Sequence, residues 1–272
     1  VMSKSVVVDS YIKTAFSGNI VFPTRVTLPK QKYMGAIVLD PVEPGVHEDM
    51  SILDYTSLYP TTIMAFNISP ETFIASEDQC TQAGMKIDDV IESLNNENIP
   101  FIDTGHHEDL FGKRYLFYAH EYKLGLMPFL LKKLFLQRVE ANKKLKLDTT
   151  PEAEKLSLNV KQKAIKLILN SAYGAMGFNY FRLYKPECAD AITFFAREAL
   201  KYAVVKWHTN MDHPVIYGDT DSIMIKQNGY SVDQIKTKLD DFTEMLKNDF
   251  FKQYSNTLNE EYFMMDLKFE MD

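Results

Sequence analysis

The 272-residue chain is poor in the residues that mark several protein classes. It has two cysteines, Cys80 and Cys188, too few and too far apart for a disulfide framework or a thiolate metal site. Glycine and proline number 11 each, which excludes a collagenous or linker-like chain. No apolar run nears the roughly 18 residues that cross a bilayer. The best, Met127-Pro128-Phe129-Leu130-Leu131, stops at Lys132, so no membrane role is expected. Val1-Met2-Ser3-Lys4 opens no signal-peptide core, and the expected compartment is a reducing cytoplasm, bacterial or that of an infected host cell.

Positive charge is also in deficit overall, with 30 Lys and Arg against 37 Asp and Glu. It is concentrated in one place. Residues 132–166 hold ten basic and four acidic residues, leaving twenty basic against thirty-three acidic elsewhere. A basic island on an acidic body suits a local anion site, and it equally suits a solvated helical face.

The remaining composition, 46% hydrophobic and 25% charged, is that of a globular chain. Its patterning is α+β. Val6-Val7-Val8, Tyr33 to Leu39 and the run ending at Asp54 read as strands, and Ser57 to Phe66 as a helix. Residues 75–127 read as an irregular polar stretch, either an insertion or the connection between lobes. Apolar residues recur at helical spacing from Pro128 to Leu147, and a second helix, with Thr150 as N-cap and Pro151 at its first position, runs to about Ala172. The basic island is therefore a helical hairpin. Another helix spans Ala189 to His208. A β-hairpin then carries Gly218-Asp219-Thr220-Asp221 at its tip, and Val232 to Phe251 is helical again.

Three clusters carry chemistry. Asp54 ends an apolar strand, where burial of an acid is costly; read alone, it serves equally as a cap for the next helix. Lys163, Lys166, Asn170 and Tyr173, at spacings of 3, 4 and 3, share one helix face beside Gly174. Lysines suit phosphate, and a tyrosine ring suits a base. The same face also reads as solvated, with Tyr173 packed inward. Asp219 and Asp221, two apart, are expected on the same side of a strand, where they repel unless a cation intervenes; the stretch is also an ordinary Asp-Gly turn. In combination they supply what nucleotidyl transfer needs: carboxylates from separate elements for two metal ions, and cations on a helix for a triphosphate.

In this combination the sequence resembles the family B DNA polymerases. Asp54-x-x-Ser57-Leu58-Tyr59-Pro60 is similar to their motif A, Lys166-x-x-x-Asn170-Ser171-x-Tyr173-Gly174 to motif B, and Tyr217-Gly218-Asp219-Thr220-Asp221-Ser222 to motif C. Tyr33-x-Gly35-Ala36 and Asn67-Ile68-Ser69-Pro70-Glu71-Thr72 are similar to the replicative polymerases of T-even-type phages. The resemblance implies a palm with an antiparallel sheet and packed helices (residues 1–127 and 174–272) and a fingers hairpin (128–173). No exonuclease domain fits in the 53 residues before Asp54, and no thumb follows, so a separate thumb or exonuclease polypeptide is an expected partner.

The resemblance also implies roles. Asp54, Asp221 and the Tyr55 carbonyl would ligate two Mg²⁺ ions, with Asp219 in support. Ser57 and Leu58 would offer backbone N–H groups to the dNTP triphosphate, and Arg138, Lys166 and Asn170 would hold its outer phosphates. Tyr59 would gate the sugar, and Tyr173 with Gly174 would meet the new base pair of the primer–template DNA. Glu270 matches a palm acid loosely. One departure stands out: four residues after Arg138, where the family often has Lys, this chain has Asn142, followed by Lys143 and Lys144. Two rival readings are a non-catalytic part of a split polymerase, and a cyclase or another nucleotidyl transferase on a similar palm.

Overall fold

The computed structural model describes residues 9, 11, 13, 29–107, 113–180 and 182–269. Val6-Val7-Val8 and Glu270 lie outside the described residues. A five-stranded antiparallel sheet has the order β1-β6-β7-β2-β8, from β1 (Val38–Leu39), β2 (Met50–Tyr55), β6 (Val215–Asp219), β7 (Ser222–Lys226) and β8 (Leu267–Phe269). Along β2 the burial alternates: Leu53 and Tyr55 are fully buried, while Asp54 between them is turned to the half-exposed face. The Tyr55 hydroxyl donates to the carbonyl of Ala199, 2.9 Å away, which ties β2 to helix α6 (Pro186–Thr209) beneath.

Helix α1 (Leu58–Ala65) is apolar all round, and all but Tyr59 of its eight residues are buried. Below it Phe66 stacks on Phe195 at 3.8 Å between ring centroids and on Phe251 at 5.1 Å. Helix α7 (Val232–Met245) runs into a π-helical turn at Leu246–Phe250.

The polar stretch 75–127 is not an insertion without structure. It holds a three-stranded sheet, β3-β5-β4, from β3 (Phe73–Ser76), β4 (Phe101–Asp103) and β5 (Tyr115–Tyr118), with helices α2 (Glu77–Gln82) and α3 (Ile87–Asn96). Ala75, Cys80, Ile87, Leu94 and Leu116 form its own small core. Strands of three and four residues are too short to show alternation in sequence. Tyr33 to Ile37, read as strand, is irregular in the structure.

The basic island is an antiparallel pair of helices, α4 (Leu126–Leu145) and α5 (Glu152–Met176). Pro151, not Thr150, is the N-cap, and Thr150 instead donates its hydroxyl to the Lys144 carbonyl at 2.7 Å, closing the turn. Helix α5 also passes through Gly174, because Ala172, Ala175 and Met176 around it are fully buried and packing outweighs glycine's helix penalty.

The segment Asn67 to Thr72 builds the socket for this hairpin. Helix α4 starts without a side-chain cap of its own. Its first free N–H groups are met from outside: Leu126 N–H by Glu71 Oε1 at 2.5 Å, and Met127 N–H by Ser69 Oγ at 3.3 Å. Asn67, in the left-handed region at φ 49°, accepts from Gly125 N–H at 2.9 Å and donates to the carbonyls of Tyr118 and Lys123, both at 2.8 Å. A Cβ on Gly125 would sit 2.9 Å from Ser69 Cβ, so only glycine fits there. Among the described residues no helix is long and apolar enough to cross a membrane.

Asn67→Ala removes one buried and two partly buried hydrogen bonds to the backbone and is expected to cost about 3 kcal/mol in urea unfolding, at roughly 1 kcal/mol for each bond lost. A loss below about 1 kcal/mol would show that the socket bears little of the hairpin.

His120 generates a pH dependence. Its Nε2 lies 2.8 Å from the Met64 carbonyl, and burial pushes its pKa down to about 4. The folded state thus keeps the imidazole neutral, while the unfolded chain takes up a proton near pH 6.5. Stability is therefore complete above pH 6.5 and falls as pH drops toward 4, by about 1.4 kcal/mol per unit at most. His120→Gln should flatten that part of the stability–pH profile; an unchanged slope would assign it to other groups.

Candidate active site

Asp54 sits in the middle of the large sheet, directly opposite Ser222 of β7 on one side and Lys268 of β8 on the other. The next residue, Tyr55, donates its N–H to the carbonyl of Asp221 at 2.7 Å. The β2–β7 ladder thereby brings the Asp54 and Asp221 side chains to one cavity of about 850 Å³. Asp219 is not part of its lining: the Asp219 carboxylate accepts from the Thr220 hydroxyl at 2.8 Å. The expectation that both acids share a strand face does not hold, because Thr220 adopts a left-handed φ of 52° and the chain turns between them.

The floor of the cavity is the start of α1. Ser57 caps this helix with a left-handed φ of 53°, and no acid occupies the first turn. Helix geometry leaves the leading N–H groups without intrahelical acceptors, so this end favours an anion. The Ser57 hydroxyl accepts from Arg138 Nη1 at 3.2 Å. Arg138 reaches in from α4, and Lys166 and Asn170 from α5, so the hairpin forms the facing wall. Burial lowers the proton affinity of the Arg138 guanidinium, and its Nε is buried without a partner. A desolvated cation with a spare donor is a site for a phosphate or carboxylate oxygen. Asn142 also lines the cavity.

Tyr59 and Tyr173 form an aromatic step at the side. Their centroids lie 4.9 Å apart at 44°, and the hydroxyls of Tyr173 and Tyr33 are 3.3 Å apart. Burial first, and then the nearby Asp221 carboxylate, push the Tyr59 pKa above its ordinary value. Tyr173 lies behind Tyr59 and, with Gly174, outside the cavity lining. Lys163 is exposed and likewise outside it.

Sequence reasoning missed the remaining wall. Thr243 and Lys247 come from α7 and the π turn, and Asp266 and Lys268 from the approach to β8 and the strand itself. These residues form no motif; only the pairing of β8 with β2 brings them to Asp54.

Among the described residues no group of three or more His, Cys, Asp or Glu converges. Two carboxylates opening on a cavity rich in phosphate-binding groups nevertheless fit Mg²⁺. That ion takes oxygen donors, keeps several waters, and is commonly held by one or two carboxylates together with substrate phosphates.

A sheet presenting two carboxylates, faced by a cationic helical hairpin across one cavity, is chemically suited to holding phosphate oxygens together with a divalent cation. The family model for DNA polymerase family B matches residues 3–263, and the chain belongs to that family. It is 32% identical over 216 residues to the DNA polymerase of Archaeoglobus fulgidus, covering 79% of this chain and 24% of that protein. Identity to DNA polymerase 2 of Aeropyrum pernix is 29% over 213 residues, covering 78% and 23%. The DNA polymerase delta catalytic subunit of Dictyostelium discoideum is 29% identical over 231 residues, covering 81% and 19%. The solved structure of the family B DNA polymerase from Pyrobaculum calidifontis superposes with a TM-score of 0.60 at 25% identity, covering 98% of this chain and 29% of that one. The chain thus spans about a quarter of the length of these relatives.

Proposed function

We propose that the chain is the catalytic palm-and-fingers portion of a template-directed DNA polymerase, with residues 1–127 and 174–272 as palm and 128–173 as fingers. A phage-type replicative affinity belongs to the same reading, on the strength of Tyr33-x-Gly35-Ala36 and the Asn67 to Thr72 block. The observation that carries the reading is the placement of Asp54 and Asp221 in one cavity with Arg138, Lys166 and Asn170.

In the reaction, the primer 3′-oxygen forms a bond to the α-phosphorus of a dNTP. The bond from that phosphorus to its bridging oxygen breaks, and the electron pair leaves on pyrophosphate. Asp54, Asp221 and the Tyr55 carbonyl would hold the metal ions. Mg²⁺, when bound, supplies charge neutralisation at the phosphates and a lowered pKa for the attacking hydroxyl. Arg138 and Lys166 give the triphosphate charge-assisted hydrogen bonds, Asn170 an amide, and the N–H groups at Ser57 and Leu58 a helix N-terminus. Tyr59 packs where the sugar lies, and Tyr173 backs it toward the base pair of primer–template DNA. Asp219 supports the turn through Thr220.

Primer extension by this chain, alone and with an added thumb fragment, tests the proposal. Mg²⁺-dependent extension in either arm, abolished by Asp221→Asn, is the expected result. Extension only in the second arm would identify the thumb as a required partner. No extension in either arm would leave a binding role and sink the catalytic one.

Lys166→Ala is expected to raise the KM for dNTP by about tenfold or more, the worth of one charge-assisted contact, with primer–template affinity nearly unchanged. Equal loss of both would make Lys166 a DNA-backbone contact.

Tyr59→Ala should raise incorporation of rNTP relative to dNTP. Overpacking a close site with one added oxygen costs about 1–3 kcal/mol, so the ratio should move by roughly tenfold or more. An unchanged ratio in a folded variant would remove Tyr59 from the sugar site.

A further inference from the structure

Lys247 and Lys268 line the cavity on the side away from the hairpin, and nothing in the reaction above uses them. Lys268 is the cross-strand neighbour of Asp54 in β8, on the opposite side from β7 and Asp221. Its Nζ lies 3.2 Å from Asp266, and its side chain is 63% exposed. Lys247 sits in the π-helical turn after α7, a device that re-aims side chains and recurs at functional sites. Its Nζ is 2.8 Å from Glu244. Lys247 is half-buried but its partner Glu244 is exposed, as Lys268 is, and ion pairs open to water are weak, so each ammonium can exchange its carboxylate for another anion.

We propose that Lys247 and Lys268 form a pyrophosphate subsite through which the product leaves. The inference rests on the polymerase reading of the same cavity. Arg138 and Lys166 serve the dNTP, which is also anchored through its sugar and base. Free pyrophosphate has no such anchors, and it has gained a negative charge on the oxygen released from the α-phosphorus. Its next partner must be a cation nearer the solvent. Lys268, beside Asp54 and open to water, is in that position, and Lys247 extends the same wall. Asp266 and Glu244 then reclaim the lysines once the product has gone.

The test is isothermal titration of the whole chain with sodium pyrophosphate and, separately, with dTTP, at low salt with EDTA and no DNA. Lys247→Ala combined with Lys268→Ala should weaken pyrophosphate binding by about tenfold or more while changing dTTP binding by less than about threefold. Lys236→Ala, which removes a lysine from the same helix outside the cavity, controls for bulk charge. Lys268→Arg should keep pyrophosphate affinity, and Lys268→Gln alone should show part of the loss if the double variant folds poorly. A loss no greater than that of Lys236→Ala overturns the subsite. An equal loss for both ligands also overturns it, by placing these lysines in the triphosphate cradle. A wild-type chain that binds dTTP but not pyrophosphate overturns this inference alone, and one that binds neither in EDTA, yet binds dTTP once Mg²⁺ is added, overturns the subsite while leaving the polymerase reading intact; binding of neither with or without Mg²⁺ removes both.

Discussion

The pairing of β2 with β7 is the constraint on which the site depends. The backbone hydrogen bond from Tyr55 N–H to the Asp221 carbonyl, at 2.7 Å, extends this ladder to the end where β2 carries Asp54 and Asp221 precedes β7. Like charges brought to one cavity repel, so the ladder must be held from elsewhere. The buried alternate residues of β2 do this. Leu53 and Tyr55 face the core, and the Tyr55 hydroxyl is fixed to Ala199 of α6. Cations share the cavity with the acids: Lys268 from β8, and Arg138 and Lys166 from the hairpin.

The hairpin is useful only if it is aimed at that point. Its aim comes from the socket built by Asn67, Ser69 and Glu71, which receive the first N–H groups of α4. Burial of these bonds makes the entry angle of α4 costly to change. Arg138 on α4 meets Ser57 at the start of α1, so one side chain links the hairpin to the helix that follows Asp54. The turn that ends β2 therefore also receives the facing wall.

Much of this was legible in the sequence because it is local. Asp54 to Pro60, Lys166 to Gly174 and Tyr217 to Ser222 carry their chemistry at short spacing, and the long helices show through apolar periodicity. The small β3-β5-β4 sheet was not legible, since its strands have only three or four residues each. The separation of Asp219 from Asp221 was hidden because it depends on a left-handed Thr220, not on residue type. Lys247 and Lys268 were hidden for a different reason. Each is an ordinary lysine with an acid two residues away in sequence, and only non-local strand pairing and the π turn bring them to the cavity.

In the proposed reaction, Asp54 and Asp221 jointly hold the metal at which a dNTP reacts. An anomalous-scattering map from crystals of the chain grown with Mn²⁺ and a dNTP addresses it directly. The account expects Mn²⁺ density touching both carboxylates, with the triphosphate between them and the Arg138–Lys166 wall. Mn²⁺ and triphosphate bound elsewhere, with the Asp54 and Asp221 carboxylates bare, would contradict it.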